Sequence, residues 1–151
     1  KINSFLIKEK ELSVDLSLPS GISVSLSKNL APIIFRNLVS NAVSYNVFRG
    51  SILIQGEIHR GEIRIIISDS GVGIPPHLLE TMWSEFVIGD KARRNPHSKG
   101  LGLSIVRQIV LMHGGTITGT SNGIGTGATF TITLPVNRRE IPVLCSISTL
   151  Q

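Results

Sequence analysis

With 151 residues, 41% of them hydrophobic and 17% charged, the chain has enough apolar content to fold as one domain, which excludes a disordered segment. Its formal net charge is +5, favouring an anionic ligand or acidic partner, and no apolar run approaches the ~18 residues a membrane helix needs. The single cysteine, Cys145, excludes an internal disulfide and fits a reducing compartment such as the cytoplasm.

The sequence opens without an initiating Met or a signal-peptide pattern and reads as a piece of something larger. Residues 1–10 carry no clear periodicity and read as the end of a linker. In 11–18, Leu12, Val14, Leu16 and Leu18 alternate strictly, as in a strand. After a Pro19-Ser20-Gly21 turn, Ile22, Val24 and Leu26 alternate again as a second strand. Ser27 or Asn29 can then cap a helix over 30–45, with Pro32 tolerated in its first turn.

At about 100° per residue, Leu30, Ile33, Ile34, Leu38 and Ala42 define the apolar arc of that helix, and Asn37 and Asn41 fall within it. A buried amide without partners costs roughly 1–3 kcal/mol. The pair therefore forms either a polar network in the core or the lining of a polar cavity, its oxygens open to a hard cation beside phosphates.

Residues 51–58 and 62–68 form a hairpin pattern around His59-Arg60-Gly61. The second strand puts Ile63, Ile65 and Ile67 on one face and delivers Asp69-Ser70-Gly71-Val72-Gly73-Ile74-Pro75. A carboxylate at the end of a buried strand needs a partner. Gly71 and Gly73 allow a turn with positive φ and the close approach of a flat ligand. Pro75-Pro76 starts a short helix reaching Trp83, and Phe86 follows, an aromatic of a kind that serves more often in a core than as a ligand platform.

Periodicity stops over 87–99, where Lys91, Arg93, Arg94, His97 and Lys99 are opposed only by Asp90. Such a loop is either a solvated basic surface or a lid over phosphates. Gly100-Leu101-Gly102-Leu103 opens a helix to about His113, its apolar side built from Leu101, Ile105, Ile109 and Met112 and widened by Val106 and Val110. A glycine-rich helix entry offers backbone N–H groups to an anion, although this one is neither a Walker nor a Rossmann motif. Gly114 suits a left-handed cap. Strands at 116–121 and 129–134 flank a turn over 122–127, with Phe130, Ile132 and Leu134 on one face and Thr129, Thr131 and Thr133 on the other. Pro135 stops the last strand, and 136–151 reads as a tail or linker.

Asn-x-x-x-Asn on a helix, Asp-x-Gly-x-Gly after a strand, an aromatic, a basic loop and Gly-Leu-Gly-Leu opening a helix, in that order, resemble the ATP-binding catalytic domain of sensor histidine kinases. That domain belongs to the wider family shared with gyrase, Hsp90 and MutL. The match covers roughly 12–135, placing the domain at 11–135. Residues 36–45 look like the family's N box, 69–73 its first glycine box, Phe86 its F box, 98–103 its second glycine box and 125–130 its closing glycine box.

The resemblance implies an α+β two-layer sandwich, a mixed and mostly antiparallel sheet covered on one face by three helices. It implies that Asp69 accepts a hydrogen bond from the adenine amino group while Gly71, Gly73 and Ile74 pass under the purine. Asn41 would hold Mg²⁺, and Asn37 would contact the phosphates or the metal's waters. Tyr45, Phe86 and Thr129 would lie at the nucleotide, and Lys91 and Arg93 would approach the phosphates. The backbone of Gly100, Leu101, Gly102 and Leu103 would cradle them.

Ser44 stands where the family usually has lysine or histidine, Ser98-Lys99 replace the usual Gly-x, and Ala128 occupies a frequent threonine or serine position. Hydrolytic relatives carry a glutamate four positions before the metal-holding asparagine. This chain has Asn37 there, and an amide is no general base near neutral pH. Transfer of the γ-phosphoryl group to a histidine on a separate dimerisation and phosphoacceptor domain is therefore favoured over hydrolysis. None of His59, His77, His97 or His113 stands in an acceptor context.

The implied cofactors are ATP and Mg²⁺. The implied partners are that acceptor domain and a response regulator receiver domain, with no nucleic acid and no direct membrane insertion. A hydrolytic ATPase or anti-sigma-type serine kinase of the same fold, or a non-catalytic nucleotide sensor, are the alternative readings.

Overall fold

The computed structural model describes residues 2–19, 26–84 and 101–136, with side chains from Ser4 onward. The elements run α1 (Ile2–Glu9), β1 (Ser13–Ser17), α2 (Ala31–Ser44), β2 (Ser51–His59), β3 (Glu62–Asp69), α3 (Pro76–Thr81), α4 (Gly102–Met112), β4 (Thr116–Thr120) and β5 (Ala128–Pro135). The five strands form one sheet in the order β1-β2-β3-β5-β4. Only β1 and β2 pair in parallel. This is the expected α+β sandwich, a mixed sheet with helices on one face.

Alternation assigns the two sides of the sheet. Ile52 and Ile54 of β2, Ile63, Ile65 and Ile67 of β3, and Ala128, Phe130, Ile132 and Leu134 of β5 are buried beneath the helices. Thr129, Thr131 and Thr133 face the other way, as the sequence predicts. Trp83 meets Phe130 edge to face, with ring centroids 6.1 Å apart. The β2–β3 hairpin closes through Arg60 and Gly61, both with positive φ, and His59 pairs with Glu62.

The structure fills in what the sequence left open and corrects some expectations. Residues 2–9 are helical, and α1 ends in a Schellman motif: Leu12 N–H reaches Ile7 C=O and Glu11 N–H reaches Lys8 C=O, with Glu11 at φ 51° where glycine is usual. The Lys10 ammonium donates to the carbonyls of Val43, Ser44 and Asn46 at 2.8–3.0 Å, capping the C-terminus of α2. Neither Ser27 nor Asn29 caps α2 through its side chain. Leu30 holds that position, and the Ser27 carbonyl accepts the N–H groups of Leu30 and Ala31. β1 is a strand, but at the sheet edge its Val14 and Leu16 are 47% and 54% exposed. The expected second strand over 22–26 lies largely outside the described residues.

In both long helices the buried face overlaps the expected arc, at Ile34, Leu38 and Ala42 of α2 and at Val106, Ile109 and Val110 of α4, but is rotated from its centre. In α2 the buried residues are Ala31, Ile34, Leu38, Val39, Ala42 and Val43, which leaves Asn37 and Asn41 half-buried on the flank rather than mid-arc. In α4 the buried residues are Ser104, Val106, Ile109 and Val110, while Ile105 and Met112 are exposed. α4 starts at Gly102 and ends with Gly114 at φ 70°, its cap bonds running from Gly115 N–H to Val110 C=O and from Gly114 N–H to Leu111 C=O.

Candidate functional site

β3 ends by placing Asp69 on the helix-covered face, between its cross-strand partners Ile52 and Ala128. The carboxylate is half-buried, and burial raises its pKa above the ordinary aspartate value. Hydrogen bonds from the backbone N–H groups of Gly71, at 2.8 Å, and Ala128 offset part of that rise. Backbone amides hold this carboxylate, and no cationic side chain neutralises it among the described residues. It is a fixed acceptor at the end of an apolar face, suited to a planar N–H donor.

The loop after Asp69 is held from two sides. On the helix side, Val72 N–H donates to the Tyr45 carbonyl at 3.0 Å, and a Cβ on Gly71 would overlap that same oxygen. The end of α2 and the Asp69 loop therefore touch backbone to backbone. Beneath this junction Asn46 is buried; its Nδ2 donates to Ser51 C=O at 3.0 Å and its Oδ1 accepts from Val47 N–H. Ser70 Oγ donates to Asn46 Oδ1 and accepts from Ser51 N–H. On the sheet side, Gly127 N–H bonds Gly71 C=O and Gly125 N–H bonds Val72 C=O. Gly73, at φ 74°, presses against the Gly123 carbonyl, where a Cβ would not fit.

Asn37 and Asn41 lie one turn apart on the flank of α2. Asn37 Nδ2 donates to Ile33 C=O at 2.8 Å, and a Cβ on Gly102 would lie 2.8 Å from Asn37 Oδ1. The N-terminus of α4 is thus set against the N-box asparagine. The first-turn N–H groups of α4 have no acceptor within the helix, so they and the helix dipole suit an anion there. Ser104, buried, donates its hydroxyl to Leu101 C=O at 2.9 Å and fixes that turn. Burial also raises the pKa of Tyr45, keeping its hydroxyl protonated and able to donate.

Asp69, Gly71, Gly73, Ile74 and the backbone of Tyr45 form one neighbourhood, and Asn37, Asn41, Leu101, Gly102 and Leu103 flank it along α2 and α4. Thr129 is not brought to this neighbourhood. It lies on the opposite face of the sheet, its hydroxyl 2.9 Å from Ser68 Oγ, and the residue on Asp69's face is Ala128. Phe86, Lys91, Arg93 and Gly100 lie outside the described residues. Asn46, Ser70 and Ser121 support the site without having been singled out, because short polar residues carry no periodic signal. Among the described residues no helix is long and apolar enough to cross a membrane.

A family model described as histidine kinase-, DNA gyrase B- and HSP90-like ATPase matches residues 28–138. The sensor-like histidine kinase SenX3 of Mycobacterium bovis is 40% identical over 127 residues, covering 83% of this chain and 30% of the relative. The sensor protein KdpD of Escherichia coli is 36% identical over 123 residues, covering 81% of this chain and 14% of the relative. The chain therefore spans less than a third of the length of either. Among solved structures, the catalytic domain of histidine kinase ThkA matches with a TM-score of 0.76 and 26% identity, covering 89% of this chain and 87% of that one. With motifs, fold and relatives in agreement, the chain belongs to the histidine kinase-, DNA gyrase B- and HSP90-like ATPase family and is of its sensor histidine kinase ATP-binding type.

Proposed function

We propose that this domain binds Mg-ATP in the cytoplasm and donates the γ-phosphoryl group to a histidine on a separate dimerisation and phosphoacceptor domain of its parent. A receiver domain of a response regulator would then take the phosphoryl group; ThkA has been solved in complex with the response regulator protein TrrA. The observation that carries this reading is the half-buried Asp69 carboxylate held by backbone N–H groups of Gly71 and Ala128.

In this reading Asp69 accepts the adenine amino hydrogen bond, and Gly71 lets the loop pack on the Tyr45 carbonyl so that it passes under the purine. The first turn of α4 and Asn37 face the phosphates. No three His, Cys, Asp or Glu side chains converge on a metal site among the described residues. The cation would accordingly be held by the Asn41 amide oxygen, phosphate oxygens and water, which suits Mg²⁺. The metal would neutralise phosphate charge, and the protein's own contribution is positioning and charge stabilisation. With Asn37 in place of a carboxylate, nothing at that position abstracts a proton from water.

The test supplies the parent's acceptor domain and γ-labelled ATP to this domain. The expected result is label on the acceptor histidine that requires Mg²⁺ and is lost with Asn41→Ala. No label in any combination contradicts the proposal.

A further inference from the structure

The hydroxyl of Ser121, just past β4, is the point where three segments meet. Its Oγ accepts the N–H of Ile74 at 3.0 Å and the N–H of Gly123 at 3.3 Å, and it donates to the carbonyl of Gly127 at 2.7 Å. A serine hydroxyl has one hydrogen and two lone pairs, so this geometry uses its full capacity. The Ile74 bond joins residues 47 apart in sequence and fixes the exit of the Asp69 loop. The Gly123 and Gly127 bonds fix the turn whose own amides hold the carbonyls of Gly71 and Val72. Gly127 sits directly on the Asp69 carbonyl, and Gly73 against the Gly123 carbonyl, so a shift of the turn carries the Asp69 loop with it.

We propose that Ser121 is a positioning residue for base selection: through its three hydrogen bonds it holds the Asp69 loop in the frame that distinguishes an exocyclic amino group from a carbonyl on the purine. The inference rests on the nucleotide-binding reading above. A carboxylate favours a 6-amino purine and opposes a 6-oxo purine only while its oxygen stays at the donor position. Loosening the frame therefore costs the amino purine more than the oxo purine. A purely structural role would weaken both nucleotides alike, by reducing the folded fraction.

The test measures binding of ATP and inosine triphosphate to wild type, Ser121→Ala and Ser121→Thr. With Ser121→Ala the preference for ATP should fall at least fivefold, chiefly through weaker ATP binding, and Ser121→Thr, which keeps the hydroxyl, should restore most of it. An unchanged preference in folded Ser121→Ala overturns the proposal. Should that variant not fold, Ser121→Cys keeps the volume while weakening all three bonds, and the same fall or constancy decides.

Amide hydrogen exchange without nucleotide provides a second arm. Exchange at Ile74, Gly125 and Gly127 should quicken in Ser121→Ala while the β3–β5 ladder keeps its protection, and unchanged exchange at those three amides overturns the pin. Because this arm needs no ligand, wild type that bound no ATP would defeat the functional reading separately.

Discussion

Asn37 and Gly102 are fitted to each other: the asparagine Oδ1 would lie 2.8 Å from a Cβ on the glycine, while its Nδ2 is committed to Ile33 C=O. The contact joins the flank of α2 to the N-terminus of α4, the two surfaces assigned to the phosphates. Gly102 has an ordinary helical conformation, so Gly102→Ala meets only the end of one side chain. We expect a change in folding stability within about 1 kcal/mol, measured by urea unfolding, because the asparagine can rotate away. Phosphotransfer to the acceptor domain should nonetheless fall at least tenfold, because rotation removes Asn37 from its place. Unchanged transfer would show that this contact is not used.

Asp69 gives a pH dependence of definite sign. Its pKa is raised in the folded protein, so the folded state resists ionisation more than the unfolded chain does. Its contribution to stability is therefore fully present below the unfolded pKa and is lost as pH rises through the raised folded value. Asp69→Asn, which keeps an oxygen for Gly71 N–H, should be more stable than wild type near pH 7 without nucleotide, and thermal unfolding should show the gap closing as pH falls through the carboxylate range. Nucleotide binding runs the other way. An amino donor favours the ionised form, so ATP affinity should weaken as pH falls through Asp69's raised range, and Asp69→Asn should bind poorly at every pH.

The outline of this site is legible in the sequence because its key residues are themselves the signals. Asp69 ends an alternating strand, two glycines follow, and an Asn pair sits at helical spacing. Other features depend on tertiary contacts that no local pattern records. The eight residues of α1 are too few to hold a helix alone. Leu6 and Ile7 pack partly on the core, and the helix ends at Glu11 with no glycine to announce it. The apolar residues of α4 surround too much of the helix to show which side faces inward. Packing against α2 and β4 buries Val106 and Val110 and leaves Ile105 and Met112 outside. The alternation of β5 already sets Thr129 on the face opposite Phe130, away from Asp69; the family resemblance, not the periodicity, places it at the nucleotide.

Glycines with positive φ differ in what they tolerate, as Gly127 of the closing turn and Gly61 of the β2–β3 hairpin show. Gly127 combines φ 71° with a position where a Cβ would overlap the Asp69 carbonyl, whereas Gly61 has φ 84° and open space around it. Gly61→Ala should cost about 1 kcal/mol from backbone strain alone. Gly127→Ala should cost more than about 2 kcal/mol, because the turn must also move off Asp69. Urea unfolding of both variants checks the order. Equal losses would mean that the turn does not bear on the Asp69 loop.

The most direct measurement is calorimetric titration of ATP into the domain, with and without Mg²⁺, beside Asp69→Ala, while phosphate release is followed in the same samples. The expected result is binding by wild type, abolished by Asp69→Ala, with negligible phosphate release over many minutes, because Asn37 cannot activate water and no acceptor domain is supplied. Wild type that binds no nucleotide, or that binds and turns ATP over steadily, would contradict a phosphoryl donor that acts only on a separate histidine.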